Sequence, residues 1–295
     1  MDYGANRRGV DMGPSAIRYA GLASELQKTG VQCVDGGDLF IPRAEERDPD
    51  ADQPVDGNAK FLREVGEICS RLRDEVADAL AGDTFPLVLG GDHSIAVGTM
   101  GGAARDAELG VVWFDAHADL NTPETSPSGN VHGMPLAAAL GRGVFVDLEW
   151  AHVPNLREAS IAYVGLRNID DREREWIRES EMTAFTMADV DERGITAVVE
   201  EALEVATRHT DGVHVSLDLD WIDPTAAPGV GTPVRGGVTY REAHSALETV
   251  SRWDEANDIL RSMDLVEVNP ILDEQNETAV LATELAASAF GKRIL

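Results

Sequence analysis

Asp115, His117 and Asp119, each two residues apart, close an apolar run in the segment "WFDAHADLNTPETSPSGN" (113–130). The pattern returns in "SLDLDWIDP" (216–224), where Asp218 and Asp220 alternate, and "GGDHS" (90–94) adds His93. Side chains two apart on a strand share a face, so Asp115 and His117, or Asp218 and Asp220, can aim at one point. Four carboxylates converging without cations would repel one another, and some would be driven to protonate. Divalent ions remove that conflict. His93, Asp115, His117, Asp119, Asp218 and Asp220 are therefore expected as metal ligands. Six ligands exceed what one ion with an open position needs, so two ions per chain are expected. Carboxylate-rich ligation with two imidazoles and no thiolate favours a hard ion, Mn²⁺ first, with Co²⁺, Fe²⁺ or Zn²⁺ able to substitute. A paired-metal site lowers the pKa of a bridging water and makes hydroxide near neutral pH. The chemistry is then hydrolysis. On these residues alone amides, guanidines and phosphate esters all stay open.

Such a set needs several strand ends gathered at one edge. Apolar runs of strand length occur at 85–90, 109–114, 161–166, 213–217 and 263–268. Continuous apolar strands suit a parallel sheet covered on both faces. Four of these runs release ionisable groups just past their C-terminal ends, in "GDHS", "DAHAD", "DLDWID" and "EVNP". Ligand sites of open parallel sheets form at that edge. Between the runs lie helical patterns. Phe61, Leu62, Val65, Ile68, Cys69, Leu72, Val76 and Leu80 recur at helical spacing and predict a helix over 58–81. Pro14 opens an earlier helix, and 195–208 and 239–253 read as helices too. Residues 41–57, rich in Asp, Pro and Glu, read as a polar loop. No internal repeat interrupts the pattern, and one α/β domain over 1–295, a three-layer doubly wound sandwich with a mostly parallel central sheet, is the economical expectation.

The chain of 295 residues carries 25 Lys and Arg against 53 Asp and Glu, a net charge of −28. Only Lys28, Lys60 and Lys292 are lysines. So acidic a surface argues against nucleic acid, which needs cationic stripes, and against anionic membranes. Self-repulsion on that scale is screened at high salt, where the Debye length falls to about 3 Å at 1 M. A salt-adapted, halophilic source is expected, with an ordinary acidic enzyme as the plain alternative. No apolar window is long enough for a membrane helix, and no signal pattern opens the chain. Cys33 and Cys69 sit among apolar neighbours and read as reduced thiols in a cytoplasmic protein.

Taken together, "RRGVDMGP" (7–14), "GGDHS", "DAHAD", "SGNVHGMP" (128–135), "SLDLDWIDP", "GTPVRGGVTYRE" (231–242) and "VEVNP" (266–270) resemble the ureohydrolase family, in family order across the whole chain. This is the arginase–agmatinase group with a binuclear manganese centre and an arginase/deacetylase-like fold. The resemblance implies that His93, Asp115, Asp119 and Asp218 hold one Mn²⁺ and that Asp115, His117, Asp218 and Asp220 hold the other. It implies catalytic roles for Asp119, which would bond the bridging hydroxide and carry its proton, for His132 as a proton shuttle, and for Glu267 as partner of the substrate guanidinium. The stretch after Asp119 is similar to the arginase branch, where the positions of Asn121, Ser126, Ser128 and Asn130 recognise an α-carboxylate. Neutral donors suit that task, since another carboxylate would repel it. Asp170 and Glu173 match positions addressing the α-amino group, and Thr232 is carried over as a further substrate contact. The implied reaction is hydrolysis of L-arginine to L-ornithine and urea by the metal-bridging hydroxide, in a homotrimer or homohexamer.

Three departures stand out. Trp221 replaces a small residue and is expected to abut the metal floor and reshape the pocket wall. Asn168 stands where the family often has Asp, and the family's first β-strand is expected before residue 1 and is missing. An agmatinase or other guanidino-acid hydrolase is the alternative activity, formiminoglutamate hydrolysis a third. A non-catalytic arginine or ornithine sensor would not need all six ligands, and a one-zinc deacetylase would leave some of them unexplained. His152, His209 and His244 read as surface residues, and His214 as a packed group or a support behind the ligands. Asp92 and Asp223 read as supports too, and Gly90, Gly91, Gly236 and Gly237 as close approaches or tight turns.

Overall fold

In the computed structural model, which describes residues 1–5, 7–46, 48–49 and 57–293, six strands form one parallel sheet. They are β1 (Leu87–Leu89), β2 (Leu109–Phe114), β3 (Leu156–Leu166), β4 (Thr183–Thr186), β5 (Gly212–Asp218) and β6 (Leu260–Val266), in the spatial order β1-β6-β5-β2-β3-β4. Every neighbouring pair is parallel. The helices are α1 (Gly13–Tyr19), α2 (Leu22–Lys28), α3 (Leu62–Ala81), α4 (Ala96–Ala103), α5 (Pro135–Ala139), α6 (Asp171–Glu179), α7 (Met187–Arg193), α8 (Ile195–Ala206), α9 (Tyr240–Asn257) and α10 (Glu277–Ala289).

Alternation along β2 divides the core. Val111 and Trp113 pack with residues of α3, α4 and α5 on one face, while Val112 and Phe114 pack with α8, α9 and α10 on the other. The result is the expected three-layer sandwich. All six residues of β2 and all seven of β5 are buried, as strands covered on both faces require. Burying one Val or Phe side chain in such a core stabilises the fold by about 1.5–3 kcal/mol.

The chain order decides where a site can form. From β2 the sheet grows outward through β3 and β4, then the chain returns through α7 and α8 to lay β5 on the other side of β2. The β2–β5 boundary is thus the switch point, and its carboxyl edge opens a crevice.

Several element bounds differ from expectation. Strand β3 begins five residues earlier than the apolar run: Leu156 pairs with Leu109, and after an irregularity the ladder resumes at Ile161. Strand β4, "TAFT", is too short for an apolar run. Helix α10 carries no amphipathic stripe, since it is buried nearly all round. Helix α3 starts at Leu62 rather than 58, after Phe61 in a left-handed conformation. Of the polar loop 41–57, residues 47 and 50–56 lie outside the described residues, and 44–46 form a short 3₁₀ turn. Among the described residues no helix is long and apolar enough to cross a membrane.

Candidate metal centre

Register places the ends of the central strands level: Phe114 of β2 pairs with Leu217 of β5, and Asp218 pairs with Val266 of β6. Asp115, Asp218 and Glu267 therefore emerge side by side. Past each strand the chain is turned by its own carboxylate. Asp115 Oδ1 accepts from the His117 backbone N–H at 2.7 Å, and Asp218 Oδ1 accepts from the Asp220 N–H at 2.7 Å. Such turns swing the second residue back over the strand end. His93 reaches the same place from a 3₁₀ turn after β1, capped by Asp92. The pair Gly90–Gly91 admits nothing larger: a Cβ on Gly91 would lie 1.6 Å from the Met1 carbonyl oxygen.

The six expected ligands converge. His93 Nδ1 lies 3.2 Å from Asp115 Oδ2, 2.9 Å from Asp119 Oδ2 and 3.2 Å from Asp218 Oδ2. His117 Nδ1 lies 3.0 Å from Asp220 Oδ2 and 3.5 Å from Asp115 Oδ1. Two donor groups result, His93–Asp115–Asp218 and Asp115–His117–Asp220, each with its ligand atoms within 4.8 Å of one another, and Asp115 belongs to both. Among the described residues His93 Nδ1 makes no hydrogen bond, although it is buried. Lone pairs aimed at a common point, carboxylate-rich and free of thiolate, fit a pair of hard divalent ions. Backbone strain marks the same spot. Asp119 and Glu267 both hold positive φ, 49° and 65°, which costs a non-glycine residue about 1–2 kcal/mol.

The electrostatics of the bare protein express the crowding. Burial raises the Asp218 carboxyl well above the carboxylate range, and Asp220 and Asp115 add repulsion. Burial and the neighbouring Asp115 push Asp119 up to about 6. Burial opposes charge on Asp115 as well, yet the adjoining His117 and His93 hold its carboxyl below the usual range. Both imidazoles are raised well above their ordinary value by these carboxylates, against burial. Protons here take the place that cations would fill.

Around the cluster stand the other expected residues. Glu267 is buried, and its Oε1 accepts from the His93 backbone N–H and lies 3.0 Å from His132 Nδ1. Its Oε2 has no partner among the described residues. Burial would lower the His132 pKa, but Glu267 outweighs it and holds the ring at about 9. Thr232, expected to touch substrate, donates its hydroxyl to Asp220 Oδ2 at 2.8 Å. Asn121 donates to Asp170 Oδ2 at 2.9 Å and accepts from Thr125. Both oxygens of Glu173 are taken by backbone, the Leu120 and Asp170 N–H groups, each at 2.9 Å. Burial, against those two bonds, pushes Glu173 up to about 7. Ser126 Oγ accepts from the Gly129 N–H and Ser128 Oγ from the Asn130 N–H, so both hydroxyls shape their own loop.

Trp221 corrects one expectation. It is fully buried, its ring tilted at 60° and 4.8 Å from that of Phe114, and cannot wall a pocket. Gly165 makes the space, since a Cβ there would lie 2.2 Å from Trp221 Nε1. Asn168 lies 3.4 Å from His117 Nε2 at the exposed rim. Asp92 accepts from Gly4, and Asp223 accepts from Gly236 and Gly237, so both brace loops. Three participants escaped the sequence. Lys60 Nζ donates to Asn130 Oδ1 at 3.0 Å. Arg167 donates to the carbonyls of Asp220, Trp221 and Val234, pinning the loop that carries Asp220. Ser216 lies 2.6 Å from His93 Nε2 and donates to Asp264. A polar residue within a buried strand, as in "SLD" and "SMDLV", is the signal that would have found the last pair.

Comparison with known proteins agrees with this geometry. Residues 1–291 match the Arginase family. The chain is 48% identical over 297 residues to an arginase of Brevibacillus brevis, covering 100% of this chain and 96% of that one. The crystal structure of Bacillus caldovelox arginase superposes with a TM-score of 0.91 at 46% identity, covering 100% and 97%. That of Entamoeba histolytica arginase in complex with L-ornithine gives 0.85 at 34% identity, covering 98% and 94%.

Proposed function

The chain belongs to the arginase family, and we propose from that premise that it hydrolyses the guanidinium group of L-arginine to L-ornithine and urea. The observation that carries this reading is Asp115, shared by two donor groups, together with the Oε2 of buried Glu267, which has no partner among the described residues. His93, Asp115, Asp119 and Asp218 would hold one Mn²⁺, and Asp115, His117, Asp218 and Asp220 a second. When bound, the ions supply Lewis acidity and bring the pKa of a water down toward neutrality.

The protein's own groups do the rest. A guanidinium stays protonated, its pKa being above about 12, so it needs an anion. Glu267 Oε2 is free to accept its N–H, while Oε1 is spent on His93 and His132. Asp119 is the carboxylate placed to carry a proton to the leaving nitrogen of ornithine. His132, partly open to solvent, exchanges protons between the site and bulk water. Thr232 orients Asp220.

Asn121, Ser126, Ser128 and Asn130 read the α-carboxylate, and Lys60 sharpens that task. With Oδ1 of Asn130 held by the ammonium, its NH₂ is left to donate. Asp170, held by Glu173 behind it, faces the α-amino group. The enzyme works in the cytoplasm as a homotrimer or homohexamer in a salt-adapted cell, with unpaired Cys33 and Cys69 suiting a reducing compartment and the charge of −28 suiting concentrated salt.

The test is urea release by the Mn²⁺-loaded protein from L-arginine and from agmatine, at low and multi-molar salt. Urea from L-arginine alone supports the α-carboxylate reading. Urea chiefly from agmatine would overturn it and leave the metal ligands standing.

A further inference from the structure

A buried polar chain runs behind His93. Its Nε2 lies 2.6 Å from Ser216 Oγ, and the Ser216 hydroxyl donates to Asp264 Oδ1 at 2.7 Å. Asp264 Oδ2 lies 3.2 Å from His214 Nε2, and His214 Nδ1 lies 2.9 Å from Ser262 Oγ. His93, Ser216, Asp264, His214 and Ser262 are all fully buried. Cross-strand register brings them together, His214 opposite Ser262 and Ser216 opposite Asp264 on β5 and β6.

Hydrogen-bond direction along this chain is forced. A buried carboxylate only accepts, so the Ser216 hydrogen points to Asp264. Ser216 can then only accept from His93, so His93 Nε2 carries a hydrogen. Nδ1, the atom facing Asp115, Asp119 and Asp218, is then the nitrogen that gives up its proton to offer a lone pair to an ion. The ring plane is set separately, by Trp113 stacked 4.1 Å away at 8°. Stacking does not distinguish the two nitrogens, whereas the Ser216 bond does.

We propose that Asp264, acting through Ser216, is a positioning residue that fixes the His93 tautomer able to bind an ion through Nδ1. The inference rests on the metal ligation proposed above. Partners of this kind outside a ligand shell are worth about 10–100-fold in metal affinity. His117 has no part in the chain, so the effect falls on one ion of the two. In Asp264→Asn, the amide that turns its NH₂ toward Ser216 donates where the carboxylate accepted. The relay then runs backward and asks His93 for the wrong tautomer.

The experiment titrates the full chain with Mn²⁺ by calorimetry against a competing chelator, with electron paramagnetic resonance to separate isolated from coupled ions. Wild type is expected to bind two ions and give a coupled signal. Ser216→Ala and Asp264→Asn are expected to weaken one ion about 10–100-fold and leave the other unchanged, so that an isolated Mn²⁺ signal appears at intermediate metal. Ser216→Ala removes a single oxygen and carries the test should Asp264→Asn fail to fold. Equal weakening of both ions, or no change in either, overturns the proposal while wild type still binds two. A wild type that binds no Mn²⁺ overturns the metal reading and this inference with it.

Discussion

Asp115 and Asp35 are both aspartates within about 3 Å of a nitrogen base, yet they belong to different kinds of chemistry. Asp115 is fully buried at the β2–β5 edge, where it accepts from Trp113 Nε1 and the His117 backbone and faces His93. Asp35 is half exposed and pairs with Arg18, which also reaches Asp38. The surface pair is solvated in either state and adds little. The buried set cannot be solvated, so its lone pairs stay fixed and its charge must be answered by protons or by metal. Acidity alone, which this chain has everywhere, says nothing about function. Position in the fold decides.

The largest effect should come from breaking the buried side at its shared member. Asp115→Ala removes a donor from both groups, so both ions should be lost and urea release should fall by about 10³-fold or more, the scale of removing a key stabilising group. Metal analysis of the dialysed variant checks the cause. Two retained ions would refute the shared-ligand assignment.

His132 sharpens the comparison with a sign. Its ring titrates at about 9 because Glu267 outweighs burial. A histidine whose pKa is raised on folding contributes stability that is full below about 6.5 and disappears as pH rises through about 9. In metal-stripped protein, His132→Asn should therefore cost up to about 3 kcal/mol at pH 6 and much less at pH 9.5. Urea denaturation at both pH values measures the difference. A cost that does not shrink with pH would mean the pair contributes by packing rather than charge.

The loop 121–130, proposed to read the α-carboxylate, lies between the two extremes, part buried and with Glu124 its one ionisable side chain. Lys60→Met keeps the stem of the side chain but frees Asn130 Oδ1. It should raise KM for L-arginine about 3–10-fold, the loss of one charge-assisted hydrogen bond, and leave kcat nearly unchanged. An equal loss with agmatine, which has no carboxylate, would separate Lys60 from that subsite.

How much of this could be seen in the sequence follows from the range of the interactions. The donor cluster was legible because Asp115 and His117, and Asp218 and Asp220, lie two residues apart at strand ends, a local pattern that the sheet merely aligns. The sandwich was legible because β2 is a continuous apolar run and β5 is apolar except for His214, Ser216 and the terminal Asp218. Strand β4 and helix α10 were not, the first for want of length and the second for want of a polar face. Lys60 escaped because its partner is 70 residues away. Trp221 was misjudged as pocket wall because Gly165, which lets it sink into the core, belongs to another strand.

The smallest effect should come from the surface. Arg18→Ala removes the cation between Asp35 and Asp38 and takes the net charge from −28 to −29. Exposed pairs of this type are worth about 0.2–1 kcal/mol in dilute buffer. At 1 M salt the Debye length is about 3 Å, so both the pair and the added repulsion are screened and the cost should fall toward zero. The buried centre is shielded by protein rather than by ions, so its requirement for metal should survive the same salt. Chemical denaturation of wild type and variant at 0.05 M and 1 M salt reads the surface term, and metal retention at both reads the buried one. An Arg18→Ala cost that is equal at both salt concentrations would show that the arginine holds the 35–38 turn by packing and by its bond to the Gly37 carbonyl, and the proposed salt adaptation would lose its support at that site.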